Sequence, residues 1–485
     1  MINLTQTSII SIIVNLVVFF IFLIVSFILI NKIKLDQKGY KYLFWLYTIF
    51  WIPIMLVRPY RGTMQNALDA NFYTIVIAVY GAIGIFIRVF ADIISYLFKY
   101  RKIFLYFCAI SEIALFIPLI ISPNTATNIC SSIGIGIGAS CIGTYELLFK
   151  EQYGNKKAFL TVSILAIPPL LANFLTAPVQ SIMKTISTVN NVVDPLIMRW
   201  MWLIGLPFIF IAFVMLFFLK EKPIIHGLEN SKKIINQNSW NNNFINWIFF
   251  INIAIIGSIV AFIKFTNSDA LATTHIQNLG ILTNQSTSSY EGYISVIFSV
   301  FQLIASIMMG FYLFKKMRTE WIFVIGSSSW IIYQVSSAFI ANPIAYIAIH
   351  GINGFGYGIL YNLTLAMVLS ISSNNKVITK MGWYQSILAI GITGSGFYTS
   401  WIKNSILPNK TNVTEFTLTE YMHIYFVQNM ILAGIIVFIT IWFILLLYFK
   451  RKYDSKVATT SKIESKSDFR SNIIRANNKT INKDS

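Results

Sequence analysis

The sequence predicts an all-α membrane protein that crosses the bilayer many times, with two related six-helix halves and one extra helix ahead of them. Composition is the first observation: 56% of the 485 residues are hydrophobic and only 11% are charged, whereas a soluble chain carries roughly a quarter charged residues. The second is a series of thirteen apolar runs, each close to the roughly 20 residues that a membrane-spanning helix needs. The third is an internal repeat.

The thirteen runs define the predicted helices, and the basic residues between them predict the orientation. The runs cover residues 8–30, 42–64, 72–98, 103–122, 128–149, 158–183, 196–219, 244–266, 288–314, 320–341, 343–371, 379–402 and 421–449. Basic residues gather in every second connection and in the tail. Because basic connections favour the cytoplasm, we expect a multi-pass cell-membrane protein with its amino terminus outside and its carboxyl terminus inside. The net charge of +19 follows this pattern, so we expect lipid contacts and no nucleic-acid partner.

Two sequence echoes at nearly the same offset indicate the repeat. YLFKYRKIF at 96–104 recurs as YLFKKMRTEWIF at 312–323, and GIGIGASC at 134–141 recurs as NGFGYGILYN at 353–362. Both echoes fall on corresponding helices, which predicts two parallel repeats. The expected parts are an extra helix with a basic connection, an amino-terminal half, a cytoplasmic linker, a carboxyl-terminal half and a disordered basic tail, at 1–41, 42–219, 220–243, 244–449 and 450–485.

Charges inside predicted membrane helices are the candidates for function, because they are costly there unless they face a cavity or a partner. Arg58 and Lys264 each lie late in the first helix of their half, so both can reach one cavity between the halves. Two converging cations suit phosphate or carboxylate, since arginine offers a planar fork and lysine a point charge. Arg61 lies nearer the end of its run, so we expect it to anchor at the outer headgroups.

A carboxylate ahead of a basic cluster is the candidate gating element. Asp92 precedes Lys99, Arg101 and Lys102, and pairing among them would latch the halves in one conformation. The alternative is a surface ion pair of little energetic value. Arg88 either pairs with Asp92 one helical turn away or lines the cavity.

Three further titratable residues are candidate proton carriers, namely Glu112, Glu146 and His350. The two glutamates have a second reading, in which they neutralise a buried cation. A lone helical histidine such as His350 is often structural. The sequence contains no Ser–His–Asp set, metal-ligand cluster or phosphate-cradling loop, so we expect neither an enzyme nor a bound metal or cofactor.

The repeated halves and the Asp92-plus-basic connection resemble the major facilitator superfamily of transporters, as does the sixth-helix stretch MRWMWLIGLPFIFIAF at 198–213. This resemblance implies a fold of twelve helices in two halves. The helix at 8–30 has no counterpart in it. The resemblance also implies alternating access to a central site.

Within that superfamily, three stretches are similar to the organophosphate:phosphate antiporters, which exchange glycerol 3-phosphate or hexose 6-phosphate for phosphate. The stretches are LVRPYRGTMQNAL at 56–68, VYGAIGIFIRVFAD at 79–92 and VAFIKFTNSD at 260–269. The likeness implies that Arg58 and Lys264 bind substrate and that Tyr80 lines the cavity. Lys264 stands where that family has an arginine, and a second-helix lysine of that family falls on Gly84.

These observations favour a monomeric secondary transporter of a small anionic metabolite, either a phosphate ester or phosphate. Arg58, Lys264, Tyr80 and Arg88 are the expected binding residues. Two alternatives stay open. One is a proton-coupled carrier for a sugar, nucleoside or drug, and the other is a membrane receptor or scaffold that does not transport.

Overall fold

The computed structural model describes residues 6–32, 40–152, 162, 164–189, 192–223, 237–371, 379–408 and 413–481. Helices dominate this part of the chain, because in hydrocarbon every backbone polar group must be bonded internally. In chain order the helices are α1 (Gln6–Lys32), α2 (Tyr40–Val57), α3 (Arg61–Leu68), α4 (Tyr73–Phe98), α5 (Lys102–Ile121), α6 (Thr125–Ala139), α7 (Ile142–Gln152), α8 (Ile167–Ser187), α9 (Pro195–Met198), α10 (Trp200–Phe218), α11 (Gln237–Thr266), α12 (Asp269–Leu282), α13 (Tyr293–Met308), α14 (Phe314–Lys316), α15 (Thr319–Ser337), α16 (Pro343–Ile371), α17 (Lys380–Ile406) and α18 (Leu418–Ile481).

Short irregular elements connect or interrupt these helices. Three 3₁₀ turns lie at Arg58–Tyr60, Ala70–Phe72 and Val413–Glu415, and a π-helical segment spans Met309–Leu313. Two short strands, β1 (Thr188–Val189) and β2 (Val192–Val193), pair antiparallel with Thr188 opposite Val193. They close the connection after α8.

Ten segments of the described chain are long and apolar enough to cross a membrane, fewer than the thirteen apolar crossings predicted. The other three predicted crossings coincide with α8, α15 and α17, which are helical but more polar. Buried polar side chains account for this, such as Lys184 and Gln180 in α8 and Gln385 in α17. Neighbouring helices shelter these groups from lipid, which makes them tolerable inside a membrane protein.

The two halves pair their helices in the same pattern, which confirms the predicted repeat. Contacting pairs in the amino-terminal half are α2–α8, α2–α10, α4–α6, α5–α6 and α5–α10. The corresponding pairs in the carboxyl-terminal half are α11–α17, α11–α18, α13–α16, α15–α16 and α15–α18. The halves contact each other mainly through α4 with α17 and α8 with α13.

A glycine permits the close crossing of α11 and α17 inside the carboxyl-terminal half. A Cβ atom at Gly391 would lie 1.9 Å from the carbonyl oxygen of Ser258. The Gly391 amide donates to the Ser258 hydroxyl (3.0 Å), which in turn donates to the Ile387 carbonyl (2.7 Å). The two backbones therefore approach as only a residue without a side chain allows.

We expect Gly391→Val to lower the free energy of unfolding by about 2–3 kcal/mol or more, because the backbone of α11 must move away. Gly394→Val on the same helix is the matched control. A Cβ there meets only the Phe262 ring at 3.6 Å, an ordinary contact. Detergent-titrated unfolding of both variants would measure the difference, and equal losses would contradict the packing described.

The extra helix α1 lies against the outside of the bundle and contacts both halves. It packs along α8, with the ring of Phe22 5.6 Å from that of Phe174. Asn15 is buried on this mostly exposed helix. Its side-chain oxygen accepts a 2.6 Å hydrogen bond from the hydroxyl of Tyr293, at the start of α13. Because a polar group in hydrocarbon needs a partner, this bond fixes α1 at the seam between α8 and α13.

The tail at 450–485, expected to be disordered, is helical in the structure as far as Ile481, as a continuation of α18. Extending an existing helix costs less than starting one. An ion pair of 2.6 Å between Arg451 and Glu320 holds the beginning of this extension against α15. Residues 224–236 of the predicted linker lie outside the described part.

Candidate substrate-binding cavity

The first helix of each half is broken, and the two breaks face each other. In the amino-terminal half, Pro59 lies in the 3₁₀ turn at Arg58–Tyr60, where its missing amide hydrogen interrupts the helix. In the other half, α11 ends at Thr266 and α12 begins at Asp269, which adopts a positive φ of 55°. Aspartate tolerates this left-handed region better than most residues. The Thr273 hydroxyl donates to the Pro59 carbonyl at 2.9 Å and joins the breaks.

The break at Asp269 places its carboxylate between the two predicted cations. One carboxylate oxygen accepts a hydrogen bond from Arg58 at 2.5 Å, and the other pairs with the ammonium of Lys264. All three side chains are nearly inaccessible to solvent. The structure thus brings Arg58 and Lys264 together as the repeat predicted. It adds a carboxylate that connects the halves, because Arg58 and Asp269 come from different ones.

Arg61 was expected to anchor at the headgroups, and that expectation is wrong. Its side chain is 1% exposed, it donates to the carbonyl oxygen of Arg58 at 2.7 Å, and its guanidinium lies 4.7 Å from the ring centre of Tyr80. A backbone acceptor and an aromatic face stabilise the cation where lipid headgroups would otherwise be needed. Arg61 therefore stabilises the 3₁₀ turn at Arg58–Tyr60 through its bond to the Arg58 carbonyl.

Arg88 and Glu146 form a second charged cluster near the first, and this cluster also joins the two halves. Arg88 donates to the carbonyl oxygen of Gln385 at 2.6 Å. Glu146 accepts from the Gln385 amide at 3.2 Å and from the Tyr361 hydroxyl at 3.4 Å. The sequence allowed Arg88 either to pair with Asp92 or to line the cavity. The structure shows the second arrangement, because Arg88 bonds to Gln385 and Asp92 pairs with other residues.

Both charged groups line one central cavity of about 130 Å³. Among the described lining residues, three cations face two carboxylates, which leaves a formal excess of one positive charge; they are Arg58, Arg88, Lys264, Glu146 and Asp269. Tyr80 and His350 also line the cavity. An excess of positive charge in an enclosed, weakly polar space favours an anionic ligand.

Contacts between the two halves lie at both ends of the cavity. We call the end of the helix bundle that carries residues 99–101 the basic end. There, Lys150 donates to the Leu369 carbonyl at 2.7 Å. At the opposite end the Tyr73 hydroxyl lies 3.1 Å from that of Thr274, and Gln277 donates to the Thr63 hydroxyl at 3.1 Å. Each set of contacts therefore ties the two halves together at its own end of the bundle.

Asp92 forms the centre of the contacts at the basic end. One carboxylate oxygen accepts from both the amide and the hydroxyl of Thr379, each at 2.8 Å. The other lies 3.8 Å from Arg101. A Cβ atom at Gly382 would lie 2.2 Å from this carboxylate, so glycine allows α17 to begin against it. Asp92 thus links α4 of one half to the start of α17 in the other.

The other two residues of the basic cluster lie elsewhere. Lys99 ends α4 with a positive φ of 61°, the common left-handed helix stop. The amide of Lys102 donates to Glu221 at 3.0 Å, and the amide of Arg101 donates to the same carboxylate at 2.7 Å. Glu221 therefore caps α5, and of the predicted cluster the structure places Arg101 against Asp92.

We expect Asp92→Asn to weaken the basic-end contact and expose residues behind it. A cysteine introduced at buried Thr144, which lines the small cleft beside Asp92, should then react with a maleimide about tenfold faster, the change that about 1.4 kcal/mol produces. The control is Asp454→Asn, since Asp454 forms only an exposed pair with Lys450. An unchanged Thr144→Cys labelling rate in Asp92→Asn would contradict a latch at Asp92.

The remaining predicted residues differ in position. His350 lines the cavity, and its Nδ1 lies 3.1 Å from the Tyr333 hydroxyl. Glu112 is fully buried but does not line the cavity, and its carboxylate lies beside Gly138. The structure therefore brings Glu146 and His350 to the central site and leaves Glu112 inside the amino-terminal half.

Sequence reasoning missed a buried ion pair at the end opposite the basic cluster. Lys184 of α8 lies 3.6 Å from Glu291, just before α13, and Glu291 also accepts from Gln277 at 3.2 Å. The pair joins the two halves. In the sequence, both charges lie at the ends of apolar runs. That position is equally typical of charges at the membrane interface, so the sequence does not mark them as a pair.

No protein-family model and no curated protein matches the chain. Solved transporter structures do match it in three dimensions. A bacterial homologue of the human lysosomal transporter Spinster matches with a TM-score of 0.58 at 12% identity, over 84% of this chain and 96% of that one. The chain has the major facilitator fold.

Two other solved structures share this major facilitator fold. The nucleoside transporter NupG matches with a TM-score of 0.55 at 13% identity, over 84% of this chain and 99% of that one. The human organic anion transporter MFSD10 matches with a TM-score of 0.56 at 9% identity, over 82% of this chain and 98% of that one. At these identities the likeness establishes the fold, which is the one predicted.

Proposed function

We propose that this protein is an alternating-access secondary transporter of a small anionic metabolite. The observation that carries the proposal is the pairing of Arg58 and Lys264, one from each half, through Asp269 in the central cavity. An anion that enters the cavity competes with Asp269 for these cations. Because Arg58 and Asp269 belong to different halves, ligand binding and the rocking of the halves are then coupled.

The finer proposal is a phosphorylated metabolite exchanged for inorganic phosphate. Its support is the sequence resemblance around Arg58, Tyr80 and Lys264, together with the positive excess of the cavity. Both halves of the cavity come from one chain, so a monomer suffices. We propose the cell membrane as its location, with the amino terminus outside.

A second candidate is a proton-coupled carrier for a neutral sugar, nucleoside or drug. The observation that favours it is Glu146, a cavity carboxylate hydrogen-bonded to Tyr361 and Gln385 of the other half. Protonation of Glu146 would change these bonds and bias the halves. The solved structures also include a nucleoside transporter.

Uptake into proteoliposomes loaded with inorganic phosphate separates the two candidates. Labelled glycerol 3-phosphate, glucose 6-phosphate, glucose and uridine are offered in turn. We expect uptake of an anion that depends on internal phosphate and is lost in Arg58→Gln. Uptake of glucose or uridine alone, unchanged by Arg58→Gln, would contradict the proposal.

A further inference from the structure

Away from its charged groups, the cavity is lined mainly by aromatic and aliphatic side chains. Tyr47 and Trp51 of α2 supply rings from the amino-terminal half. Phe298 of α13 and Tyr357 and Tyr361 of α16 supply rings from the other half. Aromatic walls from both halves therefore enclose the space next to the cations.

Stacking contacts fix the orientation of these aromatic walls. The ring of Tyr47 stacks on that of Tyr145 with centres 4.4 Å apart and planes within 19°. The rings of Tyr357 and Tyr361 stack at 5.2 Å and 22°. Rings held in this way can contact a planar ligand with little loss of side-chain freedom.

The free volume of the cavity accommodates about one ring. Its volume of about 130 Å³ is close to that of an apolar protein cavity of about 150 Å³ that takes up one benzene molecule.

Trp51 contributes its ring to the aromatic wall. The side chain lines the cavity and is 3% exposed, while its indole nitrogen is inaccessible and forms no hydrogen bond within the described part of the chain. A ligand in the cavity therefore contacts Trp51 through the ring.

We propose that the transported anion is a monocyclic aromatic phosphate or carboxylate, an inference that rests on the proposed anion transport. Arg58 and Lys264 bind the charged group. The ring lies between the walls formed by Trp51 and by Tyr357.

Binding to the purified full chain in lipid nanodiscs, measured by calorimetry, tests this proposal. Phenyl phosphate and glycerol 3-phosphate carry the same charged group and differ in the ring. We expect phenyl phosphate to bind at least about tenfold more tightly, because stacked rings add to the area that is buried. Trp51→Leu should weaken phenyl phosphate about fivefold or more through the lost ring contact, and leave glycerol 3-phosphate within about twofold.

Trp202→Leu is the matched control, since Trp202 is a fully buried tryptophan of α10 that does not line the cavity. It should change neither affinity. Equal affinity for the two esters, with both lost in Arg58→Gln, would overturn the aromatic inference and leave anion transport intact. Failure of both esters and of inorganic phosphate to bind would overturn both proposals.

Discussion

Asp269→Asn is expected to destabilise the protein by about 3–5 kcal/mol, the cost of removing one partner from a buried ion pair. The carboxylate is the common partner of Arg58 and Lys264. Without it, Arg58 retains a charge that arginine cannot lose in a protein, in a site that is 5% exposed. The measurement is the free energy of unfolding in detergent.

Asp69→Asn provides the matched control for this prediction. Asp69 accepts a hydrogen bond from the amide of Asn71 and forms no ion pair in the described structure. Asparagine can accept the same bond, so stability should change little. The double variant Arg58→Met with Asp269→Asn should recover part of the loss, because no buried arginine is left unpaired. Strict additivity of the two substitutions would contradict a shared ion pair.

Arg58→Gln is expected to reduce anion exchange in proteoliposomes by roughly thirtyfold or more, equivalent to at least about 2 kcal/mol for a buried charge partner. Two effects combine in this variant. The anion loses the planar guanidinium, and Asp269 remains beside Lys264, where its negative charge repels the ligand. Arg58→Lys should retain part of the activity, because it restores the charge without the bidentate fork.

Arg199→Gln is the control for the effect of charge alone. Arg199 donates to the Ile121 carbonyl near an exposed end of the bundle and does not line the cavity. Its loss should leave exchange within about twofold, in line with the small effects of exposed charges. Equal losses in Arg58→Gln and Arg199→Gln would indicate a general effect of charge and contradict a specific site.

The sequence predicts the convergence of Arg58 and Lys264, and the reason is symmetry. Two parallel repeats place equivalent positions of α2 and α11 at equivalent distances from the centre. A charge at both positions then reaches the same space from opposite sides. The same symmetry relates the two main contacts between the halves, α4 with α17 and α8 with α13.

The sequence does not predict that a carboxylate separates the two cations. Nothing in VAFIKFTNSD shows that the helix ends at Thr266 and that the next one begins with a positive φ at Asp269. Arg61 was misplaced for a related reason. Its position near the end of an apolar run fits a headgroup contact, and only the fold reveals the Arg58 carbonyl and the Tyr80 ring as partners.

Asp92 shows how a pattern predicts a contact and leaves the partner open. The carboxylate before a basic cluster predicted an ion pair, and Arg101 lies at 3.8 Å. The shorter bonds go to Thr379, 287 residues away in the sequence. A backbone amide is present at every position, so no residue type marks it as a partner.

The central claim, that an anion binds between Arg58 and Lys264, is tested most directly by a cryo-EM map of the full chain in lipid nanodiscs with tungstate. Tungstate is a tetrahedral dianion like phosphate, and its heavy atom gives strong density. The claim predicts a peak in the central cavity within hydrogen-bonding distance of both the Arg58 guanidinium and the Lys264 ammonium. A cavity without this peak at saturating tungstate, with Asp269 still bridging the two cations, would contradict it.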